Sequence, residues 1–173
     1  LMNFATVLKN DSFVAAAGIS VSRVVISIII SVIICFITAF SLTRKNLAYK
    51  RGITLFLMIP SYIQAGLIPR YMLYGSMGLI NNFWVYILPT AFTFYNMVII
   101  RSFLQELPGS IEESAKIDGA TDFRIMLNIV LPLSKAVLAT VTLWVAVGAW
   151  NDWTTTLTYV TERSLYTLQY LMM

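Results

Sequence analysis

Residues 112–132 read EESAKIDGATDFRIMLNIVLP, a polar stretch centred on a glycine and set between apolar runs long enough to cross a bilayer. In a membrane protein such a segment is where a soluble partner is met. Ser110 and Glu113 stand three apart in the capping-box arrangement, in which the serine hydroxyl accepts from the Glu113 amide and the glutamate reaches back to the Ser110 amide. This spacing predicts a short helix starting at Ser110. Gly119 ends it about two turns later, because a left-handed C-terminal residue suits glycine and strains any residue with a Cβ. Thr121 offers a second N-cap, Asp122 suits the positive end of the helix that follows, and Ile125, Met126, Ile129, Val130 and Leu133 fall on one face. Pro132 closes the unit.

Outward from this stretch the chain is that of an all-α membrane protein. A mean hydropathy of +0.78, with 58% hydrophobic and 12% charged residues, lies far from the roughly 25% charged residues of soluble domains. Four segments are expected to span: 24–42 with an outer extension from residue 14, 53–73, 83–100 and 133–153. Each approaches the roughly 20 residues that a hydrocarbon core of about 30 Å requires. The first lacks a charged leading region and a small-residue cleavage site, so it does not read as a signal peptide.

Charge sets the orientation. Arg44, Lys45, Lys50 and Arg51 crowd the connection between the first two spans with no acid among them, whereas residues 75–82 carry no charge. The basic connection is therefore expected in the cytoplasm, and counting spans places residues 105–131 there too. This cluster accounts for the net charge of +4 and leaves little for a nucleic-acid reading to explain. Arg23 and Arg70 fall near the outer ends of their spans, where they are expected to snorkel rather than line a path. Pro60, Pro69 and Pro89 interrupt the second and third spans and predict kinks rather than binding loops.

Enzyme chemistry has little material. With no histidine and one cysteine there is no imidazole-based triad, no soft-metal cluster and no internal disulfide, so no catalytic residue and no metal ligand is assigned. Cys35 reads as a small buried hydrophobe. None of the eight glycines builds a phosphate cradle of the GxxxxGK[ST] kind. The spans are expected to hold no acid that relays protons.

The order Glu113-Ser114-Ala115, three residues, Gly119, then Ile129 and Leu131-Pro132 resembles the cytoplasmic EAA loop of ATP-binding-cassette importer permeases. The carbohydrate-uptake branch typically reads EEAAxIDGA here; this chain reads Glu112-Glu113-Ser114-Ala115-Lys116-Ile117-Asp118-Gly119-Ala120, with serine for the first alanine. Gly66-Leu67-Ile68-Pro69, Gly78-Leu79-Ile80-Asn81, Leu88-Pro89 and Trp150-Asn151-Asp152-Trp153 resemble landmarks of the maltose-transporter-type second permease, so the likeness covers nearly the whole chain. It is closest to the subgroup associated with complex oligosaccharides, although Ala136 stands where that subgroup often has proline.

The resemblance implies a single type I importer transmembrane domain over residues 1–173, with about four transmembrane helices and a coupling loop at 104–131. One further helix is expected on each side. It implies docking of an ATPase subunit through Glu112, Glu113, Ser114, Ala115, Ile117, Asp118 and Gly119. No cofactor is then needed in this chain, since ATP and its magnesium would be held by the ATPase partner. Other implied partners are a second permease in a heterodimer, an extracellular sugar-binding protein and membrane lipid, all at a bacterial plasma (inner) membrane that the chain crosses several times. Tyr95 and Asn96 supply the aromatic face and amide that a sugar path would use, although interhelical hydrogen bonding is the plainer role for polar residues in spans. A secondary carrier or channel acting without an ATPase is the alternative, and a purely structural anchor has no use for a capped loop.

Overall fold

The computed structural model describes residues 11–44, 47–63 and 65–173, and among them every regular element is helical. Lys45, Asn46 and Gln64 lie outside the described residues. Helix α1 (Asp11–Thr43) reaches a mean hydropathy of 2.8 and is by itself long and apolar enough to cross a membrane. Three of its hydroxyl groups are satisfied locally, Ser22, Thr38 and Ser41 donating to the carbonyls of Gly18, Ile34 and Ile37 at 2.7, 2.7 and 2.8 Å, whereas the buried Ser27 and Ser31 hydroxyls have no hydrogen-bond partner among the described residues. One face carries the buried Ala16, Ser20, Arg23, Ser27, Ser31, Cys35 and Ala39, while Val21, Val25, Ile29, Ile33 and Ile37 are exposed. Water would favour the reverse arrangement, so this polarity suits an apolar surrounding.

The remaining helices are α2 (Lys50–Tyr62), α3 (Leu67–Ser76), α4 (Phe94–Glu106), α5 (Gly109–Ile117), α6 (Asp122–Leu133), α7 (Lys135–Asn151), α8 (Thr154–Tyr159) and α9 (Leu168–Leu171), with 3₁₀ turns at Phe83–Tyr86, Leu88–Thr90 and Arg163–Leu165. Three further spans arise only if α2 with α3, the turns at 83–90 with α4, and α6 with α7 each count as one. The proline expectation is corrected here, because these segments break outright where kinks were foreseen. Pro60 has no amide to offer the Phe56 carbonyl, and the chain leaves helical geometry at Ile63. It resumes after Gly66, with Pro69 in the first turn of α3, where an amide would have no intrahelical partner. Before α4 the backbone is extended at Thr93, and α7 follows a 77° bend at Ser134.

The described residues fall into two compact units. One comprises α1 up to Ser31, residues 65–91 and Trp144–Met173. Its core is Leu79, Val85, Tyr86, Ile87, Tyr159 and Val160. Asn81, at φ 56°, accepts on Oδ1 from the amide and hydroxyl of Thr161 at 2.6 and 2.9 Å, which ties the uncharged turn after α3 to the segment following α8. Tyr86 donates to the Leu165 carbonyl at 2.9 Å and meets Thr156 at 3.0 Å.

Arg23 overturns its sequence reading. It does not snorkel: it is 3% exposed, forms an ion pair with Asp152, donates to the Asp152 carbonyl at 2.8 Å and stacks over the Tyr86 ring at 4.6 Å. An arginine in apolar surroundings is tolerated when a carboxylate neutralises it, and Asp152 stands just past the end of α7.

The other unit comprises the described residues of 32–63 and 92–143. Its buried side chains include Phe36, Leu42, Met97, Ile100, Ile125, Met126, Val130 and Val141.

Candidate functional site

Helix α5 begins at Gly109, with Pro108 as its N-cap, so Ser110 is already inside the helix and no side-chain cap bond forms. The predicted capping box is therefore absent. Proline fixes φ near −65° and its carbonyl accepts from Ile111 at 3.2 Å, which starts the helix one residue before the serine. The predicted end is present. Gly119 sits at φ +77°, its amide bonds the Lys116 carbonyl at 3.0 Å, and the Ala120 amide bonds the Ala115 carbonyl at 2.9 Å, the paired bonds of a Schellman stop.

Thr121 caps α6 as expected, accepting from the Arg124 amide at 3.4 Å. Five residues of this helix, Met126–Val130, then widen into a π turn. Pro132 follows, offers no amide to the Asn128 carbonyl and crowds it with its ring, which the wider turn relieves. The extra residue advances the inward face by about 100°. Ile125, Met126 and Val130 are buried as foreseen, but Leu133 is exposed and Ser134 is buried in its place. The helix also runs past Pro132 to Leu133, so the break falls at Ser134 rather than at the proline.

Arg44, just past the C-terminal end of α1, holds the loop. Its guanidinium grips Glu112 with both nitrogens at 2.7 and 2.8 Å, approaches Asp122 at 3.6 Å and lies 3.8 Å over the Phe40 ring. Lys116 reaches Asp122 at 3.8 Å. Together Thr43, Arg44, Gly109, Glu112, Glu113 and Lys116 border a cavity of about 220 Å³. Ala115 packs inward. Glu113, Ser114, Ile117, Asp118 and Gly119 face outward, and Ile117 is 86% exposed, an unusual position for an aliphatic side chain on a polar loop. Glu113 has no ion pair among the described residues.

The model of the family described as "Binding-protein-dependent transport system inner membrane component" matches residues 31–170. The chain belongs to that family. A relative permease, the polygalacturonan/rhamnogalacturonan transport system permease protein YtcP of Bacillus subtilis strain 168, is 33% identical over 166 residues, covering 96% of this chain and 58% of its own length. The galactooligosaccharides transport system permease protein GanQ of the same organism is 34% identical over 137 residues, 76% of this chain and 48% of the relative. The solved structure of a bacterial ABC transporter involved in the import of the acidic polysaccharide alginate superposes with a TM-score of 0.92 at 25% identity, covering 97% of this chain and 60% of that one. This is the type I importer permease fold. The chain spans from 48% to 60% of the length of these proteins.

Within this permease fold the two residues expected to suit a sugar path differ in burial: Asn96 is buried and Tyr95 is 61% exposed on α4. Of the docking set, Glu112 and Ala115 are held by the permease itself and the others are free to meet a partner. Sequence reading missed the Arg44–Glu112 fork. The signal was present, since an all-basic connection and an acidic loop were assigned to one side of the membrane, but Glu112, Glu113, Asp118 and Asp122 compete and spacing alone does not choose among them.

Proposed function

We propose that this chain is a permease subunit of an ATP-driven carbohydrate importer, carrying ATPase closure into its membrane helices through residues 109–131. The observation that supports this most is the division of labour in the loop. Glu112 is clamped to the inner end of α1 by Arg44, while Glu113, Ile117 and Asp118 are presented to whatever docks. A load applied to the exposed face of α5 reaches α1 through the guanidinium fork and α6 through the stop at Gly119 and the cap at Thr121. Rigid displacement of the loop then biases helices between alternative arrangements. Arginine suits this role because its two-point grip resists rotation as well as separation.

ATP and magnesium belong to the ATPase, a second permease completes the membrane pore, and the sugar arrives on an extracellular binding protein. Relatives named for polygalacturonan/rhamnogalacturonan and galactooligosaccharide transport favour carbohydrate as the cargo. The test is reconstitution of the full-length permease with its companion subunits in proteoliposomes. Oligosaccharide uptake is expected only with ATP and the ATPase present, and a cysteine at Ile117 is expected to cross-link to the ATPase. Uptake in vesicles lacking the ATPase would replace this reading with a self-sufficient carrier.

A further inference from the structure

We propose that a cavity within the unit built on Leu79 and Tyr86 is a subsite for a uronic-acid sugar, whose carboxylate pairs with Arg70; this rests on the carbohydrate-importer reading and narrows its substrate class. The cavity measures about 280 Å³ and is bordered by Arg70, Tyr74, Tyr86, Thr90, Thr155 and Tyr159. Aromatic rings offer flat apolar faces to the C–H surface of a pyranose, and hydroxyl and guanidinium groups bond its oxygens. With α2 and α3 taken as one span and the basic connection on the inner side, residue 70 falls toward the outer face, where an extracellular sugar would enter.

The aromatic wall is held in place. Arg70 and Tyr74 lie four apart on one face of α3, and Tyr71 and Tyr74 rest against Tyr159 with ring centroids at 6.0 and 5.0 Å. Several hydroxyls are already engaged. Tyr86 is bonded to Thr156 and to the Leu165 carbonyl, Thr90 donates to backbone carbonyls, and Thr155 donates to Asp152 at 2.6 Å. Tyr74, Tyr159 and Arg70 have no hydrogen-bond partner among the described residues, so one charged and two phenolic donors remain for a ligand.

Charge distinguishes an acidic from a neutral sugar. Among the described residues no carboxylate borders the cavity. The acid next to it, Asp152, is consumed by Arg23, Thr154 and Thr155. Arg70 therefore lacks a counter-ion among the described residues. A uronate supplies one in the planar geometry that a guanidinium grips with two nitrogens, whereas a neutral sugar leaves the exposed Arg70 to solvent.

The experiment measures uptake of a galacturonate trimer and of the neutral galactose trimer of the same linkage by the complete reconstituted transporter. Preference for the acidic trimer is expected. Arg70→Gln should lower the acidic-to-neutral uptake ratio by roughly tenfold or more, as loss of a charge-assisted fork would, with partial rescue by Arg70→Lys. The exposed Arg163→Gln serves as a charge control and should keep the ratio. Uptake of the neutral trimer alone, failure to import the acidic trimer, or an unaltered ratio in Arg70→Gln would overturn the subsite. ATP-dependent neutral uptake would then leave the importer reading standing, whereas absence of any ATP-dependent uptake would remove both.

Discussion

Adjacent acids in the loop have different physical situations. Glu112 is gripped by Arg44 with two nitrogens, whereas Glu113 is exposed and has no ion pair among the described residues. Because Ser110 lies inside α5 and no capping box forms, Glu113 has no helix-capping role for an amide to preserve. Its carboxylate is then available to pair with a basic group on the ATPase. Glutamine at 113 would lose the charge-assisted bond, about 1.5–3 kcal/mol, nearly as completely as alanine. Glu113→Gln and Glu113→Ala are both expected to weaken ATPase retention and sugar-stimulated hydrolysis in the assembled transporter, with normal insertion. Wild-type behaviour of the glutamine variant would move the docking energy to Ile117 and Asp118. Glu112→Gln is expected to differ: the ATPase stays bound, but transport per ATP hydrolysed falls, because the fork to α1 is cut while the exposed face is kept.

Elements of this chain are governed by their ends. Gly119 at φ +77° stops α5, and a Cβ built there meets nothing within 4 Å, so substitution is resisted by the backbone alone. Gly119→Val should cost about 1–2 kcal/mol and misaim α5 while leaving the apolar helices inserted. Transport activity should therefore drop much further than membrane abundance; disappearance of the protein from the membrane would make Gly119 a folding residue instead. This stop and the Thr121 cap were legible in sequence because each depends on one residue's own conformational preference. The start of α5 was not, since Pro108 and Ser110 are both credible starts and the sequence pattern does not rank them. Nor was the phase of α6, where the π turn ahead of Pro132 puts Ser134 inside and Leu133 outside. The break after Tyr62 and the one at residues 91–93 escaped for a related reason: proline announces a lost hydrogen bond but not whether the chain bends or stops.

For the molecule as a whole, orientation follows from charge, and the structure adds a physical link between two signals that were independent in sequence. The basic connection after α1 was assigned its side by charge and the loop at 104–131 by its resemblance to a cytoplasmic EAA loop, and Arg44 bonds directly to Glu112 across them. A sidedness error in one would have to be shared by the other. Arg23 and Asp152, by contrast, could not be paired from sequence, because they lie 129 positions apart and only tertiary structure joins them. The orientation itself is open to a direct test. Cys35 is fully buried and is first replaced by alanine, together with any cysteine elsewhere in the full-length permease. Single cysteines are then placed at the exposed Ser76, in the last turn of α3, and at the exposed Ser110, in the first turn of α5. In intact cells a membrane-impermeant thiol reagent should modify position 76 and spare position 110. In inside-out vesicles from cells lacking the ATPase, which would otherwise cover the loop, the pattern should reverse. Reaction at 110 in intact cells would invert the topology, place the exposed face of α5 away from ATP, and remove the coupling role together with the inward location of the Arg44–Glu112 fork.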